Sequence, residues 1–200
     1  MGETDAEGAA PVRDTGSGNG VRRDRRTTDT RQRIQATALD LFTTRGYGGT
    51  SLKDIADELG VTKAAVYYHF PAKADLAHSI FGPFIADVDA MFDAFDDNPP
   101  GPRDAMARYL DTMIPHRQVF AAMARDPGAV SDVDLGEVGR RWIQRMSDIL
   151  IGQEPSPDDR VRVGVALGGL IRALLVDDVD VATIRRVGLE SAMAALASGR

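Results

Sequence analysis

The sequence predicts an all-α protein: an N-terminal three-helix unit followed by a helical body, about nine helices in 200 residues. Three observations predict it. Apolar residues recur at spacings of three and four along most of the chain, the period of a helix with one buried face. No stretch alternates in the two-residue period of a strand. Segments rich in Gly and Pro punctuate the periodic stretches, as helix ends and loops require.

The elements follow in order. Residues 1–20 hold five Gly and almost no large apolar side chain, so they cannot offset chain entropy and are expected to be disordered. Residues 21–33 (VRRDRRTTDTRQR) form an arginine-rich arm, either a solvated tail or an arm that touches nucleic acid. Order is expected from about Thr28. Ile34, Ala38, Leu41 and Phe42 mark a first helix, closed by Gly46. A second begins at Thr50-Ser51, where Ser51-x-x-Asp54 has the form of a capping box. It buries Leu52, Ile55, Ala56 and Leu59 and ends at Gly60. A third runs from Thr62, its N-cap, to about Phe70. Pro71 suits the first turn of a fourth, which carries Leu76, Ile80, Ile85, Val88, Phe92 and Phe95. Gly82-Pro83 is expected to kink or break it, because proline removes a backbone donor and crowds the preceding turn. The segment DDNPPGP (96–102) is a loop. Met106, Leu110, Met113 and Ile114, then Val119, Phe120 and Met123, continue the helical pattern until Asp126-Pro127-Gly128. Val138, Trp142, Met146, Ile149 and Leu150 mark another helix, closed by GQEPSP. Val163, Leu167, Leu170 and Leu174 mark the next, and a last one runs from Asp180 to about Ser198. The implied division is 1–27 arm, 28–75 N-terminal unit and 76–200 body.

Composition narrows the chemistry. Hydrophobic residues are 43% and charged residues 27%, a globular balance. The chain has no Cys and three His, so disulfides, thiolate metal sites and a thiol nucleophile are excluded and no metal site or cofactor is expected. No uncharged run approaches the roughly 20 residues a membrane helix needs, and the acidic N-terminus does not read as a secretory signal. A cytoplasmic location is therefore expected. Net charge is −6, but it is unevenly spread: residues 21–80 carry ten basic and seven acidic side chains, and residues 81–200 are net −6. A basic segment on an acidic body suits a protein that offers one face to a polyanion.

The most informative stretch is Leu52–Phe70. A helix-turn-helix needs a small residue where its helices cross, a residue tolerant of left-handed backbone at the turn, and a buried β-branched residue on the second helix. Ala56, Gly60 and Val66 supply these in order. Tyr67, Tyr68 and His69 are consecutive on a short helix, so some must face outward, beside Lys63 and Lys73. That makes a surface rich in donors for phosphate oxygens.

The run F-x-x-x-G-Y-x-x-T-S-L-x-x-I-A-x-x-L-G-V-T-K-A-A-V-Y-Y-H-F-P-A-K-A-D-L, Phe42 to Leu76 without a gap, resembles the N-terminal domain of the tetracycline-repressor (TetR) family of transcriptional regulators. With the first helix the resemblance covers about a quarter of the chain; the rest is similar only in length and helical texture. It implies a DNA-binding domain whose third helix enters the major groove of double-stranded DNA at a palindromic operator, on a body that dimerises and binds a small-molecule effector. By position, it implies that Lys63, Ala64 and Ala65 face bases, that Tyr67, His69 and Lys73 meet phosphate, and that Tyr68 lies on the groove wall. Thr62 caps this helix and belongs to the same set. Thr50, Ser51 and Lys53 sit at the second helix's N-terminus, where free N–H groups favour an anion. One departure matters: Ala64 and Ala65 offer only methyl groups. Lys63 is then the main candidate for direct readout, and specificity leans further on DNA shape or on arginines of the arm.

A homodimer is expected because two linked readers gain avidity. Gly164, Leu167, Gly168, Ile171 and Leu174 are the candidate seam, or else an ordinary core helix. Phe92, Met113, Phe120, Met123, Trp142 and Met146 are candidates for lining an effector pocket, or else plain core. His116 and Arg117 could read a polar group or form a solvated helix end. An enzyme is the remote alternative: Asp75 and His78 are three apart on one helical face, but no G-x-S-x-G, H-E-x-x-H or Gly-rich phosphate loop is present. A helical small-molecule-binding dimer without DNA binding is the other alternative, and the Lys63–Lys73 surface argues against it.

Overall fold

The structure, a computed structural model, describes residues 18–126 and 135–198, with side chains over 27–126 and 136–198. The first seventeen residues of the expected arm, and Pro127-Gly128 of the expected stop, lie outside the described residues. Those described are helical, with no strand among them: α1 (Gly18–Arg45), α2 (Leu52–Leu59), α3 (Lys63–His69), α4 (Lys73–Asp97), α5 (Pro102–Met113), α6 (Arg117–Arg125), α7 (Leu135–Ile151), α8 (Pro157–Ala173) and α9 (Val181–Ala197). A 3-10 turn, Ile114–His116, separates α5 from α6. The sequence pattern ran on through this point; Pro115 makes the break.

The N-terminal unit forms because its local signals agree. Ile34, Ala38, Leu41 and Phe42 of α1 are buried against Leu52, Ile55 and Ala56 of α2 and Val66 of α3. Three expectations need correction. First, α1 starts at Gly18, not near Thr28, so the basic part of the expected arm is helical. Once α1 is nucleated by its packed half, adding arginine, a good helix former, extends it without a new nucleus. Second, Pro71 precedes α4 rather than opening it. The Asp75 carboxylate accepts the Ala72 N–H at 2.9 Å, which sets the start at Lys73.

Third, α4 is not broken at Gly82-Pro83; it continues for 25 residues with Pro83 inside it. The carbonyl left without its helical N–H by Pro83 is that of Ser79. Gln35 of α1 supplies the missing donor: its Nε2 donates to the Ser79 carbonyl at 3.1 Å and to Ser79 Oγ at 3.0 Å. Beyond the proline the continued helix buries Phe84, which makes ring contacts at 5.0–5.3 Å with Phe120, His116 and Trp142. Ile85, expected on the buried face, is only half-buried.

In the body, α4, α6 and α7 supply this aromatic core with the 3-10 turn, while α8 and α9 pack closely on each other. The six candidate pocket residues are core. Phe92, Met113, Phe120, Trp142 and Met146 are buried and Met123 is half-buried. The clefts along α8–α9 and beside Asp177 are lined by other residues. The cause is packing: Trp142 is fixed by its Nε1–H bond to Asp89 Oδ1 at 2.8 Å, and the Arg145 guanidinium covers Phe92 at 4.6 Å.

The candidate seam on α8 also divides. Leu167 and Leu174 point inward at 3% and 5% exposure, because α9 covers that face. Gly164 and Gly168 are exposed, Ile171 is half-buried, and beside the glycines stand the exposed Val161 and Val165.

Candidate nucleic-acid interface

The α2–turn–α3 unit is set by three caps. Ser51 Oγ accepts the Asp54 N–H at 3.2 Å while Asp54 Oδ2 accepts the Ser51 N–H at 2.8 Å, the reciprocal capping box. Gly60 takes the left-handed conformation (φ 66°), and the Val61 N–H bonds back to the Ala56 carbonyl at 3.0 Å, closing α2 in a Schellman turn. Thr62 Oγ1 then accepts the Ala65 N–H at 3.2 Å and starts α3. Val66, fully buried, anchors α3 to α1 and α2.

With Val66 inward, α3 turns Lys63, Ala64, Tyr67 and Tyr68 outward. Tyr68 is 78% exposed and Tyr67 41%. Lys63 is exposed, with its Nζ 5.1 Å from the Tyr67 ring centroid, a placement that orients the ammonium without neutralising it. Ala65 and His69 are half-buried, and the His69 ring meets Tyr68 edge-on at 5.2 Å. Thr62 and Ser51 are exposed at the starts of their helices. The exposed face is therefore one cation, one methyl and two phenols on a rigid rod.

Three expected contacts are placed differently. Thr50 is buried at 2% exposure, and its hydroxyl donates to the Gly46 carbonyl at 2.8 Å; it holds the α1–α2 loop and does not reach the surface. Lys73 turns inward. Its Nζ donates to the Tyr47 and Thr50 carbonyls at 2.9 and 3.1 Å and sits 4.0 Å from the Tyr47 ring centroid. The Tyr47 carbonyl also accepts the Thr50 N–H at 3.1 Å, and the ammonium joins it to the Thr50 carbonyl, closing the turn ahead of α2. Lys53 is exposed but paired with Asp57 at 2.7 Å, and this bonded carboxylate holds its pKa above the ordinary lysine value. Asp54 adds negative charge at the start of α2, its carboxyl held below its usual range by the Ser51 hydroxyl and N–H. The anion-attracting character expected there is thus partly cancelled.

Two further residues matter. Arg31 of α1 stacks 4.5 Å from the Phe70 ring centroid and its Nη1 donates to the His69 carbonyl at 3.4 Å, at the C-terminal end of α3. Asp126, at the end of α6, accepts the Gly48 N–H in the α1–α2 loop. It lies so close to Gly46 and Gly48 that a Cβ on either would stand 3.1–3.3 Å from it. The basic tract hinted at the first; nothing local signals the second, which joins residues 78 apart. Asp75 and His78, the remote acid–base pair, are turned to backbone: Asp75 to the Ala72 N–H, His78 Nδ1 to the Ala74 carbonyl at 2.9 Å.

The family described as bacterial regulatory proteins, tetR family, matches residues 34–80. The HTH-type transcriptional regulator AcrR of Shigella flexneri is 47% identical over 53 residues, 26% of this chain and 25% of that protein. The biofilm operon icaADBC HTH-type negative transcriptional regulator IcaR of Staphylococcus aureus (strain Newman) is 41% identical over 46 residues, 23% of this chain and 25% of that protein. The chain spans about a quarter of the length of these curated relatives. Among solved structures, the ketosteroid transcriptional regulator KstR2 of Mycobacterium tuberculosis has TM-score 0.69 at 15% identity, over 84% of this chain and 93% of that one, a likeness of fold. The matched stretch begins at the buried start of α1, includes α2 and α3 whole, and ends in α4. Residues 34–80, about a quarter of the chain, are thus similar to the N-terminal domain of the tetR family of bacterial regulatory proteins.

Proposed function

We propose that the protein is a sequence-specific DNA-binding transcriptional regulator, a repressor that works as a homodimer on a palindromic operator and is released by a small-molecule effector. The observation that carries this reading is the outward face of α3: an unpaired Lys63 with Tyr67 and Tyr68 beside it, on a helix whose other side is locked into a small core. Such a face fits the major groove, where Lys63 can donate to guanine and the phenols to phosphate oxygens. The repressor sense draws on the printed description of IcaR as a negative regulator. The unit 28–75 reads DNA and 76–200 controls it.

The dimer reading draws on α8 and α9. Val165 and Val187, exposed by 59% and 43%, line an apolar groove, and nothing stands within 4 Å of a Cβ placed at Gly164, Gly168 or Gly169. A second copy of the same pair can approach there closely, putting two α3 helices on one side of a duplex. The effector reading draws on α6, which packs along α1 and ends at the Asp126–Gly48 bond. A body state that moves α6 would move the reading helix with it.

The test is fluorescence anisotropy on duplexes that the chain selects from a random-sequence pool. Lys63→Ala and Tyr68→Ala should each weaken binding at least tenfold with unchanged melting temperature, Lys63→Ala lowering the log–log salt slope by about one. Val165→Asp should give monomers by light scattering and lose operator affinity with them. Selection of no sequence by the unaltered chain would leave a helical dimer without DNA binding and end the proposal.

A further inference from the structure

We infer that Tyr67 is a positioning residue for base readout: the face of its ring holds the Lys63 ammonium and so sets how strictly Lys63 selects guanine. This rests on the DNA-binding reading above. The outward first turn of α3 offers little else to read with. Ala64 is exposed but carries only a methyl, and Ala65 is half-buried. Hydrogen-bond discrimination between base pairs there falls to Lys63. A lysine alone does this poorly. Its ammonium is a point charge on a flexible four-carbon stem, and phosphate oxygens attract it as well as guanine O6 and N7 do. Selectivity therefore needs the ammonium to be held before the DNA arrives.

The holding group is a ring and not an oxygen. Of the three lysines, Lys53 is bonded to the Asp57 carboxylate at 2.7 Å and Lys73 to two loop carbonyls at 2.9 and 3.1 Å. Lys63 meets no oxygen among the described residues; its Nζ stands over the Tyr67 ring, 5.1 Å from the centroid. A carboxylate or carbonyl would occupy the donors that a base needs. The face of a ring attracts the charge and leaves the three N–H donors available. The two residues are four apart, the spacing that makes them neighbours on a helix. Tyr68, five on from Lys63, is the more exposed ring and meets His69 edge-on instead. Tyr67 is more covered, and it lines a cleft with Ser51 at the start of α2 and Pro71 and Lys73 at the start of α4. The support is thus itself held. The hydroxyl of Tyr67 is a different part of the side chain from its face, so a contact with phosphate and the support of Lys63 can be separated by substitution.

The experiment uses the full chain and a duplex that it selects from a random-sequence pool, with each guanine replaced in turn by 7-deazaguanine, which lacks the N7 acceptor. One such replacement should weaken binding by the unaltered chain about tenfold, and Lys63→Ala should be indifferent to it. Tyr67→Phe keeps the face and should keep that ratio, whatever its lost hydroxyl costs on every duplex alike. Tyr67→Leu should lower the ratio about two- to fivefold, the strength of an exposed cation–π contact, with the salt slope unchanged because the charge remains. In the DNA-free protein, the ε-methylene protons of Lys63 should show an upfield ring-current shift that Tyr67→Phe keeps and Tyr67→Leu loses. An undiminished ratio in Tyr67→Leu, an equal loss in Tyr67→Phe, or no ring-current shift in the unaltered chain would overturn the inference. So would a selected duplex in which no guanine is read through Lys63. Selection of no sequence would overturn the regulator reading itself, and this inference with it.

Discussion

The α1–α3 unit and the α4–α9 body are both helical, yet they are held in different ways. The N-terminal unit is fixed by local chemistry: a reciprocal cap at Ser51, a left-handed Gly60, a threonine cap at Thr62, and Lys73 closing the loop carbonyls. Its small core leaves the rest of each helix exposed. The body is fixed by packing around Phe84 and by the close α8–α9 pair. Caps and turns tolerate change on the exposed faces, so a reading surface can vary while its geometry stays. Ring packing tolerates little at its centre, but it leaves the periphery free to present an apolar groove.

The largest effect that this contrast predicts is in the body. Phe84→Ala removes a buried ring that meets three others, and should destabilise the protein by about 3–5 kcal/mol. Urea unfolding followed by Trp142 fluorescence measures it directly, because Trp142 lies 5.3 Å from the lost ring. A loss under about 1 kcal/mol would mean that the aromatic cluster is not the body's anchor.

A middle effect sits in the N-terminal unit. Lys73→Met keeps the aliphatic stem but deletes both hydrogen bonds to the Tyr47 and Thr50 carbonyls, for a loss of about 1–3 kcal/mol. The melting temperature should fall while the salt slope of DNA binding changes by much less than the one unit expected at Lys63. A full unit lost at Lys73 with stability unchanged would show that its ammonium turns outward to phosphate rather than inward to the loop carbonyls.

The same contrast explains what the sequence could reveal. Helix starts at Ser51, Thr62 and Asp180 were legible because each cap is written within about one turn of sequence. The outward placement of Lys63, Tyr67 and Tyr68 was legible because three polar aromatics in a row on a short helix cannot all be buried. What escaped depends on distant partners. Pro83 reads as a breaker until Gln35, 44 residues before Ser79, takes over the orphaned carbonyl. Lys73 reads as a phosphate ligand until two loop carbonyls converge on it. Leu167 and Leu174 read as a seam until α9 covers them. The basic tract before Ile34 reads as a tail until it is seen as the continuation of a packed helix.

The smallest predicted effect concerns acid. Three capping carboxyls are held below the usual aspartate value: Asp54 at α2 by the Ser51 hydroxyl and N–H, Asp159 at α8 mainly by the Ser156 hydroxyl, and Asp180 at α9 mainly by the Thr183 N–H and hydroxyl. A carboxyl whose folded pKa is depressed contributes stability that is fully present above its unfolded value, 3.8, and is lost as pH falls through the folded value. One such group lies in the N-terminal unit and two at the start of the α8–α9 pair, so acid should loosen the groove-bearing helices more than the reading helix. Between pH 5 and pH 3 the double variant Asp159→Asn, Asp180→Asn should lose less melting temperature than the unaltered chain, because asparagine still accepts the capping N–H but does not titrate. Amide exchange at low pH should rise first in the opening turns of α8 and α9, with that of α2 behind. Equal acid sensitivity of the variant and the unaltered chain would mean that the caps are formed but contribute nothing measurable, and the difference between the two regions would then lie in packing alone.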